Sequence, residues 1–457
     1  MMRFPSVRKV GWMLAIAFVL LVPAIRNHYP LLYSDSGEYL LSALTRRPPR
    51  VRTVGYGLWI WLTGGTLTLW APIIAQALLL AALLVRTVIA LGLTAGPRTM
   101  LPLAAALLLT GAPWMASEAM PDVFAGAVLL ALYLALAHWP HMGAATRALV
   151  CFTLVLGVAT HVTMPVVFAA SLVVVAIATR TRRLALPPLR TIAAAAALVA
   201  LSVAALAAFN WARTSRVALT RKPSVFVVGH LVESGLAARV LADRCAVETF
   251  ALCPYQAGLT QPIDAFIWDD SSVFYKAYHD EDALRADTRN LVRAVILHEP
   301  LALLGSIVSY GARQFITIDV FDPARSRAAN RFTGSVIGFV LPHEEATMLA
   351  ARQQADGGTR LRWLDPVFLG VLVVSLVVSA WQLYRAFQRG QVALASAEGL
   401  QLFIWVALAI NALICANLSG VFGRYQGRLA WLLPVVVAVT FAARFPTGAE
   451  RGPPHGE

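Results

Sequence analysis

Charged residues are scarce in this chain. Only 14% of its 457 residues are Asp, Glu, Lys or Arg, whereas 58% are hydrophobic, and the mean hydropathy is +0.68. Soluble domains usually carry about 25% charged residues, and a single soluble core stops growing near about 250–300 residues. The composition therefore argues against a soluble protein and predicts one whose excess apolar surface faces lipid.

Lysine is rarer still, with three lysines against 35 arginines. This ratio is typical of a GC-rich bacterial genome, so we expect a protein of the bacterial inner (cytoplasmic) membrane. The formal net charge is +14, but the basic residues cluster in short segments between apolar runs, as in 180–190. That is the positive-inside pattern of cytoplasmic loops, and nucleic acid is not an expected partner.

Cysteine is also uncommon, with four in the chain. Cys151 and Cys415 fall inside apolar runs and are expected to be inert core residues. Cys245 and Cys253 lie close together in the longest polar segment. They form a local disulfide if that segment faces an oxidising compartment, and are two free thiols otherwise. No His/Cys cluster has zinc-site spacing, so the sequence identifies no metal and leaves a divalent cation open.

Apolar runs long enough to cross a membrane recur along the chain. A span needs about 20 residues, and spans must be helical because lipid cannot satisfy open backbone groups. The basic N-terminus leads into an apolar run without a small-residue cleavage site, which predicts an uncleaved first helix with a cytoplasmic N-terminus. The predicted spans are 10–26, 71–93, 98–115, 121–138, 146–161, 163–179, 190–210, 364–384, 399–418 and 428–445. The predicted fold is an all-α polytopic membrane protein of about ten transmembrane helices.

Two further segments are ambiguous. Residues 55–69 are apolar but short and rich in Gly and Trp, and residues 299–318 carry Arg313 and Gln314. Either segment could span, or lie flat at the interface. Charge bias favours the flat orientation for both, because counting either as a span would move basic loops outside.

This topology divides the chain into four regions. They are an N-terminal membrane module (1–210), a periplasmic cap with an interfacial helix (211–363), C-terminal transmembrane helices (364–445) and a disordered tail (446–457). The loop 27–54 and the turn 114–121 lie on the same outer side as the cap.

The first outer loop holds an acidic pair, Asp35 and Glu38. Acidic residues this close to a bilayer are costly unless they face water or a cavity, and so point to function. Asp35 could equally be the N-cap of a short interfacial helix.

The second outer turn holds Glu118 and Asp122, which one helical turn would place on the same face. Pro121 and an acidic first turn are also ordinary helix-start signals. Because these acids emerge on the same side as Asp35, they could form one shared site for proton abstraction or for a cation.

The order of these motifs resembles the GT-C superfamily of polyprenyl-phosphate-dependent glycosyltransferases, which includes protein O-mannosyltransferases and aminoarabinose transferases of lipid A. The motifs are Asp-Ser-Gly-Glu-Tyr after the first helix, an arginine and Gly-Tyr-Gly-Leu-Trp, then Glu-Ala-Met-Pro-Asp, and finally Arg-Tyr before a helix with Leu-Leu-Pro. The resemblance covers the first six spans and the last two. The loop 211–363 does not align, and the motifs are short enough to indicate a superfamily rather than a substrate.

The resemblance implies an inverting transfer at the outer face of the membrane. A sugar on a polyprenyl-phosphate donor would pass to a lipid, glycan or protein acceptor, with Asp35 as general base. Glu118 and Asp122 match the second acidic element, which helps to place the acceptor or a cation.

The departing phosphate needs positive charge, and arginine suits phosphate. Arg424, next to Tyr425, matches the family best, with Arg428 one helical turn away. Contact with lipid headgroups is the alternative role for these residues. Arg52 and Lys222 are weaker candidates of the same kind. His161, between two spans, is either a structural hydrogen-bonding residue or part of the site.

Two other functions remain open at this stage. A transporter or flippase of a lipid-linked sugar would place ionisable groups at mid-membrane, whereas these spans are nearly free of them. A scaffold subunit is compatible with the capping roles of the acids.

Overall fold

Helices make up nearly all of the regular structure. The computed structural model describes residues 7–178, 184–185, 188–220, 224–259, 261–319, 331–355, 364–390 and 392–443. The helices of the first half are α1 Val7–Asn27, α2 Ser36–Thr45, α3 Gly55–Leu62, α4 Trp70–Ala90, α5 Pro97–Leu108, α6 Ala112–Ala116, α7 Asp122–His138, α8 Ala144–Thr160, α9 Met164–Ala178 and α10 Leu189–Thr214.

The second half begins with several short helices and ends in long ones. Its helices are α11 Ser224–Glu233, α12 Leu236–Arg244, α13 Ile263–Trp268, α14 Val273–Ala277, α15 Glu281–His298, α16 Pro300–Ile316, α17 Arg331–Val340, α18 Glu345–Ala350, α19 Arg352–Ala355, α20 Leu364–Gln388, α21 Ala397–Leu418, α22 Gly423–Ala430 and α23 Leu432–Ala443. Three 3₁₀ turns lie at Trp139–His141, Cys253–Gly258 and Pro342–Glu344. Two-residue strands β1 Leu184–Ala185 and β2 Val392–Ala393 pair in parallel.

Seven stretches of the described chain are helical, long and apolar enough to cross a membrane, or up to nine if two bent helix pairs each count as one span. They are Val7–Asn27, Trp70–Ala90, Asp122–His141, Leu189–Thr214, Leu364–Gln388, Ala397–Leu418 and Gly423–Ala443. Large apolar side chains on them, such as Phe18 and Val377, are exposed, as lipid contact requires. An all-α polytopic fold is thereby confirmed. The other three predicted spans fall on shorter helices, namely α5 with 12 residues, α8 with 17 and α9 with 15.

Helix α7 lies at the centre of the bundle, and every residue in it except Ala137 is buried. A helix that is apolar all round suits such a position. Glycines bring its neighbours close, since a Cβ on Gly126 would lie 2.5 Å from the Trp431 ring and one on Gly157 would lie 2.2 Å from Val128. Small residues allow helices to approach closely where lipid supplies no hydrophobic driving force.

The first loop and the turn before α7 are joined at the same end of the bundle. Leu31 donates to the Ser117 carbonyl (2.9 Å) and accepts from the Ala119 amide (2.8 Å). The Ser117 hydroxyl also bridges the Ala24 amide and the Leu20 carbonyl in α1, next to Pro23, which cannot donate. The eight residues of α3 are too few to span a membrane by themselves.

The pairing of strands β1 and β2 limits how many times the chain between them can cross the membrane. Strands β1 and β2 place the chain before α10 and the chain after α20 at the same end of the bundle. The segment between α10 and α20 must therefore cross an even number of times or not at all, so α16 is not a single added span.

Helix α16 nevertheless lies lengthwise along α21 rather than across it. Asn417 donates to the Ile307 carbonyl (3.2 Å), and Phe315 stacks on Trp405 with ring centroids 6.2 Å apart. The bend between α15 and α16 is 104°. These antiparallel contacts favour a re-entrant helix over the flat one that charge bias predicts for 299–318.

The region predicted as one cap over 211–363 divides into two parts. Residues between 225 and 295 enclose a separate hydrophobic cluster, and we call this part the cap. Within it Cys245 and Cys253 form a disulfide. Residues 331–355 instead pack into the main bundle core through Ile337, Leu341 and Met348.

Candidate functional site

A large cavity opens between the first loop, the cap and the start of α22, and we call it the main cavity. Its volume is about 1220 Å³. Five of the sequence-predicted residues line it, namely Asp35, Glu38, Arg52, Arg424 and Tyr425. The cap contributes an aromatic wall that includes Phe226, Trp268 and Tyr275. The cavity thus combines a charged floor with an aromatic side.

Asp35 is held by two arginines. Arg52 donates to Asp35 Oδ2 from Nε at 3.0 Å and from Nη2 at 2.8 Å, and Arg424 Nη2 lies 3.9 Å from the same oxygen. Asp35 occupies the N-cap position of α2, but its side chain makes no capping hydrogen bond. Its carboxylate therefore faces the arginines in the cavity rather than the helix end.

The charge state of Asp35 follows from two opposing effects. Burial alone would raise its pKa, but the Arg52 and Arg424 guanidiniums and the Arg52 hydrogen bonds hold the pKa below its ordinary value. Asp35 is consequently a carboxylate at neutral pH.

Glu38 lies one turn further along α2 and also lines the cavity. Its Oε1 accepts from the Arg50 amide at 2.7 Å. Burial raises its pKa above the ordinary value, against the lowering effect of that amide. Glu38 therefore holds the loop 45–52 in place while adding an acidic group to the cavity wall.

Arg424 is enclosed by aromatic rings. Its guanidinium carbon lies 4.4 Å from the centroid of Tyr33 and 5.5 Å from that of Tyr425, and its side chain is only 11% exposed. That geometry is a cation–π arrangement inside the cavity rather than contact with lipid headgroups. Tyr33 was not singled out from the sequence, since nothing in its spacing links it to a residue near the other end of the chain.

Glu118 and Asp122 lie at the same end of the bundle but do not line the cavity. Both are buried, at 2% and 4% exposure, and Asp122 Oδ1 lies 4.0 Å from Arg428 Nη1. The main cavity thus receives one of the three predicted catalytic acids directly, and the other two lie within the bundle.

Arg428 is fully buried, one turn from Arg424. Its Nη2 lies within hydrogen-bonding distance of Asn411 Oδ1 (2.9 Å), Thr163 Oγ1 (3.2 Å) and Cys415 Sγ (3.1 Å). This network links α22 to α21 and to the α8–α9 connection. Cys415, expected to be an inert core residue, is part of it.

His161 joins the same buried layer. Its Nδ1 lies 2.9 Å from Thr163 Oγ1, and its ring is 6.2 Å from that of Tyr425. Burial, and then the nearby Arg428 charge, lower its pKa well below the ordinary value, so the ring is neutral at physiological pH. Its contacts are those of a hydrogen-bonded positioning residue under Tyr425.

Residues 331–355 support the first loop from behind. Thr333 Oγ1 donates to the Ser34 carbonyl (2.9 Å) next to Asp35. Gln353 exchanges two hydrogen bonds with the Leu32 backbone, and Glu344 accepts from Tyr29 (2.7 Å). These contacts join residues about 300 positions apart, and no local sequence pattern predicts them.

Asp319 marks the junction between the main cavity and an apolar slot of about 210 Å³. The slot is lined by residues such as Phe368, Leu372 and Pro434. A Cβ on Gly423 would lie 2.4 Å from the Asp319 Cβ, and one on Gly427 would lie 2.4 Å from its carbonyl oxygen. Glycine at both positions therefore permits the approach of 319 to α22.

Lys222, the remaining predicted residue, lies outside the described residues. Within the described part of the chain, no group of three or more His, Cys, Asp or Glu side chains is placed to hold a metal ion. Comparison of the chain with protein-family profiles, with curated proteins and with solved structures finds no match.

Proposed function

We propose that this protein is a glycosyltransferase of the GT-C type, which moves a sugar from a polyprenyl-phosphate donor to an acceptor. The observation that carries the proposal is the Asp35 carboxylate held by Arg52 and Arg424 in a large cavity at one end of an apolar helical bundle. A base and a phosphate clamp are the two groups that such a reaction requires.

The proposed reaction is a single displacement. Asp35 accepts the proton of the acceptor hydroxyl, the acceptor oxygen bonds to the anomeric carbon, and the bond from that carbon to the phosphate oxygen breaks. The leaving phosphate gains negative charge, which Arg424 and Arg52 neutralise. The proton remains on Asp35 until water removes it.

The arginines also couple donor binding to the base. Both guanidiniums are directed to Asp35 Oδ2 in the structure. A donor phosphate would compete for them, and as they turn toward it the pKa of Asp35 would rise toward a more basic value. Base strength would thus increase only when a donor is present.

The apolar slot next to Asp319 is placed to accept the first isoprene units of the carrier. It opens beside the main cavity and is lined by α20 and α23, so a lipid chain could leave the bundle sideways while its phosphate stays near Arg424. The aromatic wall of the cap would face the sugar, since aromatic rings suit the apolar faces of sugars.

Topology and location belong to the same proposal. About ten spans, with α5, α8 and α9 counted as short ones, would place the Asp35 end in the periplasm and the N-terminus in the cytoplasm of a bacterial inner membrane. Glu118 and Asp122 would support the site from within the bundle, the latter through Arg428.

Transfer and transport are distinguished by the fate of the glycosidic bond. Purified protein in liposomes would be given polyprenyl-phosphate donors carrying radiolabelled hexoses, together with an extract of bacterial envelope lipids and glycans as acceptor. The transferase account expects label to leave the polyprenyl phosphate. Movement of intact donor between leaflets, without release of label, would instead establish the alternative, a flippase of lipid-linked sugars.

A further inference from the structure

A second cavity lies where the outer end of α10 meets the cap, and we call it the arginine cavity. Its volume is about 510 Å³. Four arginines contribute to its lining, namely Arg47, Arg213, Arg216 and Arg285. They come from three separate parts of the chain, the first loop, α10 with the residues after it, and α15. Such convergence of like charges costs energy unless an anion is bound or acidic groups compensate.

Acidic groups compensate only in part. Asp280 and Glu281 also line the cavity. Asp280 is directed to the start of α15, where it accepts from the Asp282 and Ala283 amides. Arg216 pairs with Glu281 (3.3 Å) and Asp282 (2.9 Å).

The other arginines of this cavity have no such partner. Within the described part of the chain, Arg47, Arg213 and Arg285 form no ion pair with a carboxylate, and Arg213 instead lies over the Phe209 ring at 5.8 Å. The cavity therefore keeps a surplus of guanidinium donors, whose planar forks match phosphate oxygens.

The position of the arginine cavity along the membrane normal indicates the source of an anion that would bind there. It adjoins the last turn of α10, a helix long and apolar enough to cross the membrane. Trp211 in the same turn is exposed, as is Val217 just beyond it. Exposed Trp at the end of a span is typical of the headgroup layer, so the arginines lie at the depth of lipid phosphates.

We propose that the arginine cavity binds the anionic phosphate headgroup of a membrane lipid. Its wall at Arg47 and Pro48 is shared with the main cavity, so the bound headgroup lies beside the charged floor that holds Asp35. This inference does not depend on the transferase activity, because it rests on the arginines and their position alone.

Native mass spectrometry of the detergent-purified full chain tests the inference, with phosphatidic acid, diacylglycerol of the same acyl chains and inorganic pyrophosphate as probes. The double variant Arg213→Gln/Arg285→Gln removes two arginines of the cavity that form no ion pair with a described carboxylate. The control Arg190→Gln/Arg289→Gln changes the net charge equally, on the same two helices, at exposed positions that do not line the cavity.

The wild type and the control are expected to bind phosphatidic acid in preference to diacylglycerol. The double variant is expected to bind phosphatidic acid at least tenfold more weakly than the wild type does. Competition by pyrophosphate would show that a free phosphate also fits, whereas binding of phosphatidic acid alone would assign the site to the lipid. Equal retention by the double variant and the wild type, or equal retention of diacylglycerol, would overturn the proposal. The single variants Arg213→Gln and Arg285→Gln, each expected to lose part of the affinity, serve if the double variant does not fold.

Discussion

Arg52 and Asp35 form the closest charged contact of the main cavity, with Nε and Nη2 of the guanidinium both directed to the same carboxylate oxygen. The two residues are 17 positions apart and belong to opposite ends of the first loop. Their ion pair thus closes that loop over the cavity and also sets the charge state of Asp35.

Removal of the Arg52 charge should change the pH dependence of activity. Asp35 is buried, so its pKa should rise when the Arg52 charge and hydrogen bonds that lower it are lost. We expect the acid limb of kcat/KM to move to higher pH in Arg52→Gln than in the wild type. The control Arg46→Gln, an exposed arginine outside the cavity, should leave the limb in place. An unchanged limb in Arg52→Gln would show that Asp35 is not the titrating base.

Arg424 should act on the donor rather than on the acceptor. Loss of a charge-assisted contact to phosphate costs about 1.5–3 kcal/mol, which corresponds to tenfold or more in affinity. We expect Arg424→Gln to weaken binding of a polyprenyl-phosphate donor by that factor, measured by donor titration. The exposed Arg293→Gln is the matched control, and equal donor binding by both variants would remove this role from Arg424.

Arg428 should matter for stability, in contrast to Arg424 one turn before it. Replacing it leaves Asp122 buried without its nearest cation, and breaking a buried pair costs about 3–5 kcal/mol. We expect Arg428→Met to lower the melting temperature in detergent markedly. Adding Asp122→Leu should restore much of the loss, because no buried charge then remains unpaired. If the two substitutions lowered the melting temperature additively, Arg428 and Asp122 would not interact.

His161 should make the folded state sensitive to acid. Its folded pKa is depressed by burial, so the unfolded chain binds the proton more readily. The stabilisation associated with the neutral ring is present above the unfolded pKa, about 6.5, and is lost as the pH falls below it. Melting temperatures between pH 7.5 and 5 should therefore decline less in His161→Gln than in the wild type. Equal declines in melting temperature for the two proteins would contradict the assignment of His161 as a buried neutral ring.

Reporter fusions test the predicted orientation. A periplasm-dependent reporter placed after Asp270, in the cap, should be active, and one placed after Arg389 should be inactive, because α20 returns the chain to the strand-paired end. The opposite pattern would place the Asp35 cavity in the cytoplasm and remove the periplasmic site.

Most of the helical architecture could be predicted from the sequence, because side chains that face lipid must be apolar and long apolar runs therefore indicate spanning helices. The proximity of the loops that carry Asp35 and Glu118 also followed, since an even number of crossings returns the chain to the same side. The lengthwise packing of α16 along α21 did not follow, because composition cannot separate a helix lying flat from one that packs along a span.

The candidate site was less predictable than the fold. Arg424 and Arg428 are four residues apart and look equivalent in sequence, yet one faces the main cavity and the other is fully buried. Which face of α22 meets the bundle depends on packing. The support of the first loop by Thr333, Glu344 and Gln353 depends on contacts across some 300 residues, which no local pattern encodes.

Single-turnover cleavage of a polyprenyl-phosphate-linked sugar by Asp35→Asn protein tests the central claim most directly. The substitution keeps the shape of the side chain and removes its basicity. With acceptor present, we expect the wild type and the exposed control Asp270→Asn to release labelled sugar, and Asp35→Asn to be slower by at least a hundredfold while still binding donor. A near wild-type rate in Asp35→Asn would contradict the assignment of Asp35 as the base.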